Sequence, residues 1–342
     1  MSSSRFHSHA EQAQSVEAAL AEAERRVARV SPAEWARKLG CPLDDLLHAA
    51  EALPGAQWAL RFSDPQTFLL SLAEDAARSE FGRFLLCARG LNWRTTDLLF
   101  DPAYHAALRQ QERDGSLGLF DRLAFFLFPL FLATQERARI HQRQIQPFVR
   151  DGTALASLPC GRMRDLLTLD YGTVRGGLRL TGIDKDPEVV DGVAQFAREL
   201  FRDRPPPGAL DIRTGDALVP GFTTPPCADA FDLLTSAGLN IYLNDDQSET
   251  FYRHVYAALK PGGAFVTGHI VPSEEYCWER VNRLHWRLQV AVMTVLVGAL
   301  WEAYVKPADR VRAQLTAAGF RDVHTIPDSQ HIFPTFVARK PA

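Results

Sequence analysis

Three kinds of side chain in this sequence stand where they could do chemistry. The first are acids that close short apolar runs, Asp184 in Gly182-Ile183-Asp184 and Asp216 in Gly215-Asp216-Ala217. A carboxylate accepts hydrogen bonds from vicinal hydroxyls. Asp184 follows Gly161 by 23 residues, near the interval of roughly 20 at which a strand-end acid meets a ribose. The second are the polar groups of Ser236-Ala237-Gly238-Leu239-Asn240-Ile241-Tyr242, where Ser236, Asn240 and Tyr242 follow another apolar run and could hold a ligand. The third is His269, just beyond Gly268. Imidazole titrates near neutrality, so a histidine there is the natural acceptor for a proton from a hydroxyl or an amine. Each residue also has a plainer reading. Strand-end acids cap the next helix, Asn240 supports a turn, Tyr242 packs in a core, and His269 satisfies a carbonyl. Asp186, just before Pro187, reads as a helix N-cap, and His254 and His285 fall within helical segments. His7 and His9 form a lone pair in a polar tail, and no other spacing has the pattern of a metal site, so no metal is expected.

The elements that must position these residues begin only after Pro147. Short β-rich runs then alternate with helical stretches, the signature of βαβ units and a parallel sheet. Strands are expected over residues 154–158, 178–183, 210–213, 231–235 and 264–267, and helices over 164–169, 187–201 and 246–259. Lys260-Pro261-Gly262-Gly263 reads as the end of the last of these helices. A long helix is expected between 274 and 305, another over 307–318, and then a hairpin formed by 320–326 and 332–339. Before Pro147 the three- and four-residue apolar spacing is helical throughout, with helix starts at Ser31-Pro32, Asp64-Pro65 and Asp101-Pro102. The fold class is therefore α/β, a Rossmann-like mostly parallel sheet with a terminal antiparallel hairpin, preceded by an all-helical domain. Residues 1–149 form the helical domain and 150–342 the sheet domain. Trp35, Trp58, Phe62 and Trp93 in the helical part pack in its core or line a pocket.

Over residues 153–340 the chain resembles the class I S-adenosylmethionine-dependent methyltransferases. The resemblance rests on the order of elements and on five landmarks: Leu158-Pro159-Cys160-Gly161, Gly182-Ile183-Asp184, Gly215-Asp216-Ala217, Phe231-Asp232-Leu233-Leu234 and Leu259-Lys260-Pro261-Gly262-Gly263. It implies S-adenosylmethionine as cofactor and Asp184 as the acid on its ribose. It also implies Asp216 near the adenine amino group with Ala217 against the ring, and a helical cap that selects the acceptor. The sequence departs from the family in its first glycine motif, an acid followed by three spaced glycines. Ser157 stands for the acid, Pro159 for the first glycine and Met163 for the third. Pro159 removes a backbone donor. That harms a dinucleotide reading more, because a pyrophosphate needs close backbone approach, whereas S-adenosylmethionine carries no phosphate. Pro159 and Gly161 would border the cofactor, and Arg162 is a candidate for its carboxylate.

Composition sets the outer bounds. A net charge of −3 and a pI near 6.4 give no field that draws in a polyanion, so a small-molecule acceptor is expected rather than nucleic acid. The apolar runs 123–134 and 288–301 are shorter than the roughly 20 residues of a membrane span and read as buried helices or a homo-oligomer interface. Five scattered cysteines and a polar start without the apolar core of a signal peptide point to the cytoplasm. The reading is S-adenosylmethionine-dependent methyl transfer to a small molecule, with His269 and Tyr242 as catalytic candidates. The alternatives are an NAD(P)-dependent oxidoreductase and a non-catalytic cofactor-binding regulator on the same fold.

Overall fold

The computed structural model describes residues 9–29, 31, 65–203, 206–223, 227–299 and 304–342, and of residues 9–15 the backbone alone. The helix expected after Ser31 and the aromatic residues Trp35, Trp58 and Phe62 lie outside the described residues, as do Cys41 and His7. Besides the single turn Leu119–Arg122, the described α-helices are in chain order α1 (His9–Arg29), α2 (Pro65–Arg78), α3 (Glu80–Ala88), α4 (Trp93–Phe100), α5 (Pro102–Arg113), α6 (Pro129–Ile145), α7 (Arg164–Leu167), α8 (Pro187–Leu200), α9 (Asp245–Ala258), α10 (Arg283–Ala291) and α11 (Ala308–Ala317). The strands are β1 (Ala154–Ser157), β2 (Arg179–Asp184), β3 (Ala209–Thr214), β4 (Phe231–Ser236), β5 (Leu259–Gly268), β6 (Arg321–Ile326) and β7 (Thr335–Arg339). The chain divides into two compact units, residues 1–132 with 281–300, and residues 133–280 with 301–342.

The first unit is helical, and its caps follow from sequence. Asp101 accepts from the Ala103 amide at 2.9 Å with Pro102 at the first helical position, and Asn92 and Thr95 form a reciprocal capping box at the start of α4. Its core is aromatic. Phe81 meets Phe125 edge-on at 4.9 Å and Phe131 at 5.5 Å, contacts that add about 0.5–1.5 kcal/mol each beyond burial. The helix expected over 274–305 is broken. Asn282 caps α10 by accepting the Leu284 and His285 amides, and after a π-helical turn, Val292–Val297, the chain stops at Gly298 with φ 70°. Only a residue without a Cβ takes that left-handed stop cheaply. Arg26 closes this end, with Nε donating to the Val295 carbonyl at 3.0 Å and Nη2 to Leu296 at 2.7 Å. Residues 281–300 thus belong to the helical unit.

The second unit is a seven-stranded sheet of order β3-β2-β1-β4-β5-β7-β6. The first five strands are parallel, and β7 is antiparallel to β5 and to β6. All four residues of β1 are buried, as are both faces of β4 for most of its length, whereas β3 and β6 at the edges are largely exposed. Interior parallel strands covered on both sides read as continuous apolar runs, which is why they were visible in the sequence. Lys260-Pro261-Gly262-Gly263 proves to lie inside β5, since α9 already stops at Ala258. Asp232 accepts from the Ala154 amide at 2.8 Å and from Lys260 Nζ at 2.7 Å, tying the starts of β1, β4 and β5 together. Two of the five sequence landmarks, those around Asp232 and Lys260, therefore build the amino-terminal edge of the sheet.

Candidate functional site

Strand order reverses between β1 and β4, and in an open parallel sheet the crevice for a ligand opens outside the carboxyl ends at that point. The β1 exit is fixed on both sides. The Leu158 amide donates to the Thr235 carbonyl at 2.9 Å, and the Cys160 amide to the Ile183 carbonyl at 2.9 Å. Pro159, which has no amide to place, sits between them after a cis peptide. Gly161, with φ 47°, donates its amide to Asp184 Oδ2 at 3.1 Å, while Asp184 Oδ1 accepts the Asp186 amide at 3.1 Å. Asp184 is buried, and burial raises its pKa against the pull of those two amides. The Lys185 amide is a third donor to it, and of about four acceptor sites on a carboxylate some capacity is left for a ligand. Asp186 itself caps α8 through the Glu188 amide at 3.0 Å.

The other candidates separate. Asp216 is exposed, and its Oδ1 accepts the Leu218 amide at 2.9 Å, a turn-stabilising contact. Ala217 belongs to the apolar core with Phe222, Leu243 and Phe251, and its carbonyl lies 3.2 Å from His254 Nδ1. The Arg162 guanidinium rests over the Phe196 ring of α8 at 5.6 Å. Asn240 is buried, its Nδ2 donating to Thr267 Oγ1 at 2.8 Å and to the Gly268 carbonyl at 3.3 Å. Thr267 Oγ1 in turn donates to the Ser236 carbonyl at 2.9 Å, so Ser236, Asn240 and Thr267 lock the exits of β4 and β5 together. Ser236 Oγ and Asn240 Oδ1 are buried without a hydrogen-bond partner among the described residues. Tyr242 ends the same turn 44% exposed, whereas His269 is 0% exposed. Burial, and then the positive charge of Lys306, pull the His269 pKa down to about 3. An imidazole so depressed is a weaker base near neutral pH than a free one.

Over 99% of this chain and 100% of its own length, a protein from Bordetella parapertussis, described as a possible exported protein, superposes with a TM-score of 0.76 at 32% sequence identity. This chain belongs to that protein's family. No family model matches it, and no curated protein does. The magnesium protoporphyrin IX methyltransferase of Synechocystis PCC 6803, with bound S-adenosylhomocysteine, matches at 12% identity and TM-score 0.45 over 72% of this chain and 97% of its own. An N-methyltransferase of Bradyrhizobium japonicum WM9, in complex with S-adenosylhomocysteine, matches at 17% and 0.42 over 69% and 98%. Likenesses of that degree bear on no residue of this chain, and the fold class stands on the strand order itself.

Three further residues of the family member's sheet unit escaped sequence reasoning. Ser157, standing where the resemblance expects an acid, donates its hydroxyl to Asp165 Oδ2 at 2.9 Å. A carboxylate from the first turn of α7 thus lies against the end of β1. Burial raises the Asp165 pKa to about 6, with the Ser157 hydrogen bond opposing. Arg137 of α6 is buried against the β5 exit, its guanidinium carbon 3.9 Å from the centre of the Phe333 ring. A Cβ on Gly268 would come within 2.8 Å of Arg137 Cδ, so the close approach of that side chain requires glycine. Burial lowers the Arg137 pKa to about 9, opposed by the charges of Asp165 and Asp328. His141, on the next turn of α6, is buried beside the Thr267 backbone, and burial and then Arg137 hold its pKa far below the ordinary value. Arg137 and His141 stand in the polar stretch Gln135-Glu136-Arg137-Ala138-Arg139-Ile140-His141, which gives no local signal of their burial, and the strand they pack on lies far along the chain.

Proposed function

We propose that the chain transfers a methyl group from S-adenosylmethionine to a small-molecule acceptor. The observation that carries this reading is the Gly161 amide given to Asp184. A β1 turn whose proline has no N–H, and whose glycine N–H is already spent on the next strand's acid, offers few donors to a pyrophosphate. It suits a ligand with ribose hydroxyls and no phosphate, held by the remaining lone pairs of Asp184. This favours S-adenosylmethionine over NAD(P). Beside the crevice, a Cβ on Gly238 would meet nothing within 4 Å, so the β4 exit borders open space.

When bound, the cofactor supplies an electrophilic methyl carbon. The chain's own residues orient and shield. Asp184 holds ribose, Asp216 offers its second oxygen to the adenine edge, and Pro159, Gly161 and Arg162 border the amino-acid end. The locked exits of β4 and β5 present Ser236 and Asn240 to the acceptor in fixed geometry, which is the main requirement for in-line displacement. With the His269 pKa near 3, we assign that residue to packing. We place the activity in the cytoplasm, where this cofactor is made. The test is a thermal-shift panel of S-adenosylmethionine, S-adenosylhomocysteine, NAD and NADP, since a ligand that binds only the folded state raises Tm by mass action. A shift with the two sulfur ligands alone is expected, and a shift with NAD or NADP alone would sink the reading.

A further inference from the structure

We propose that Arg137, backed by His141, anchors a carboxylate of the acceptor, so that the methylated substrate is an organic acid. The inference rests on the methyl-transfer reading for the word acceptor, and on local geometry for the anchor. Arg137 is only 2% exposed, yet its Nε and Nη1 are buried without a hydrogen-bond partner among the described residues. Two buried guanidinium nitrogens that donate to nothing are costly, and a ligand acceptor would remove that cost.

The two nearby acids do not complete it. Asp328 spends Oδ1 on the Gln330 amide at 2.9 Å and Oδ2 on the Phe333 amide at 2.6 Å, and Asp165 Oδ2 takes the Ser157 hydroxyl at 2.9 Å. Their charges still reach Arg137, which disfavours a dianion such as phosphate and leaves a monocarboxylate as the anion, accepting one charge-assisted hydrogen bond from Nε or from Nη1, which lie on different edges of the guanidinium. Position assigns it to the acceptor. Gly161, Asp184 and Asp216 follow β1, β2 and β3, whereas Arg137 packs on Gly268 at the end of β5, across the switch point and beside the unpartnered Ser236 Oγ and Asn240 Oδ1.

The probe is benzoate, with benzamide as the neutral isostere, titrated at constant ionic strength into the full chain, free and saturated with S-adenosylhomocysteine. Benzoate is expected to bind both forms at least about tenfold more tightly than benzamide, and Arg137→Gln to abolish the difference. Gly268→Ala, which crowds Arg137 Cδ without removing the charge, is the second variant and should weaken benzoate at least about fivefold. It keeps the test open if Arg137→Gln does not fold. Absence of benzoate binding by the wild type, equal binding of benzamide, or full binding by the folded variants overturns the anchor. Loss of benzoate binding on saturation with S-adenosylhomocysteine overturns its assignment to the acceptor and gives Arg137 to the cofactor's own carboxylate. If S-adenosylhomocysteine itself does not bind, the methyl-transfer reading fails separately, and the benzoate titration of the free protein still decides the anchor.

Discussion

Asp165 and His269 show how far environment moves a side chain from what its type suggests. The Asp165 carboxyl is raised from 3.8 to about 6, so the folded chain binds its proton more tightly than the unfolded chain does. Between those values the native state holds more protons, and stability falls as pH rises. Asp165→Asn should therefore flatten the decline of Tm across roughly pH 4 to 6, and a variant whose Tm follows the wild-type curve through that window would contradict the shift. His269 moves the other way. With its pKa near 3 it stays neutral at physiological pH and contributes packing rather than basicity. His269→Gln is expected to lower Tm while single-turnover methyl transfer stays within about threefold of wild type, whereas loss of a general base would cost about 10²–10⁴.

Among the elements, the parallel strands and the caps were legible because their signals are local. Runs closed by Asp184 or Asp216, and Asp-Pro pairs at Asp101 and Asp186, state their roles within a few residues. Long-range contacts were not legible. The 274–305 stretch is apolar enough to pass for one helix, and only the cap at Asn282 and the stop at Gly298 divide it. Asp232, part of one landmark of the resemblance, is a clamp at the amino-terminal edge, a role that depends on which end of β4 it occupies. Asp232→Ala removes the acceptor for a strand amide and for Lys260 together. It should cost about 1–3 kcal/mol, read as a lower urea midpoint with cofactor affinity unchanged. A change in affinity with no change in stability would instead place Asp232 in the site.

For the whole molecule, the helical unit and the sheet unit are each built as the sequence's change of periodicity at Pro147 suggests, but the chain crosses between them within α6 and returns for residues 281–300. No described helix is long and apolar enough to cross a membrane. Arg137 and His141 stood hidden because their helix was assigned wholly to the first domain, while α6 from Ala133 onward belongs to the sheet unit. The central claim is that this sheet holds S-adenosylmethionine through Asp184, and titration calorimetry of S-adenosylhomocysteine against wild type and Asp184→Ala tests it most directly. A single site is expected in the wild type, weakened at least about tenfold in the variant by loss of a hydrogen-bonded carboxylate. No heat with S-adenosylhomocysteine in the folded wild type, or equal affinity in the two proteins, would contradict it.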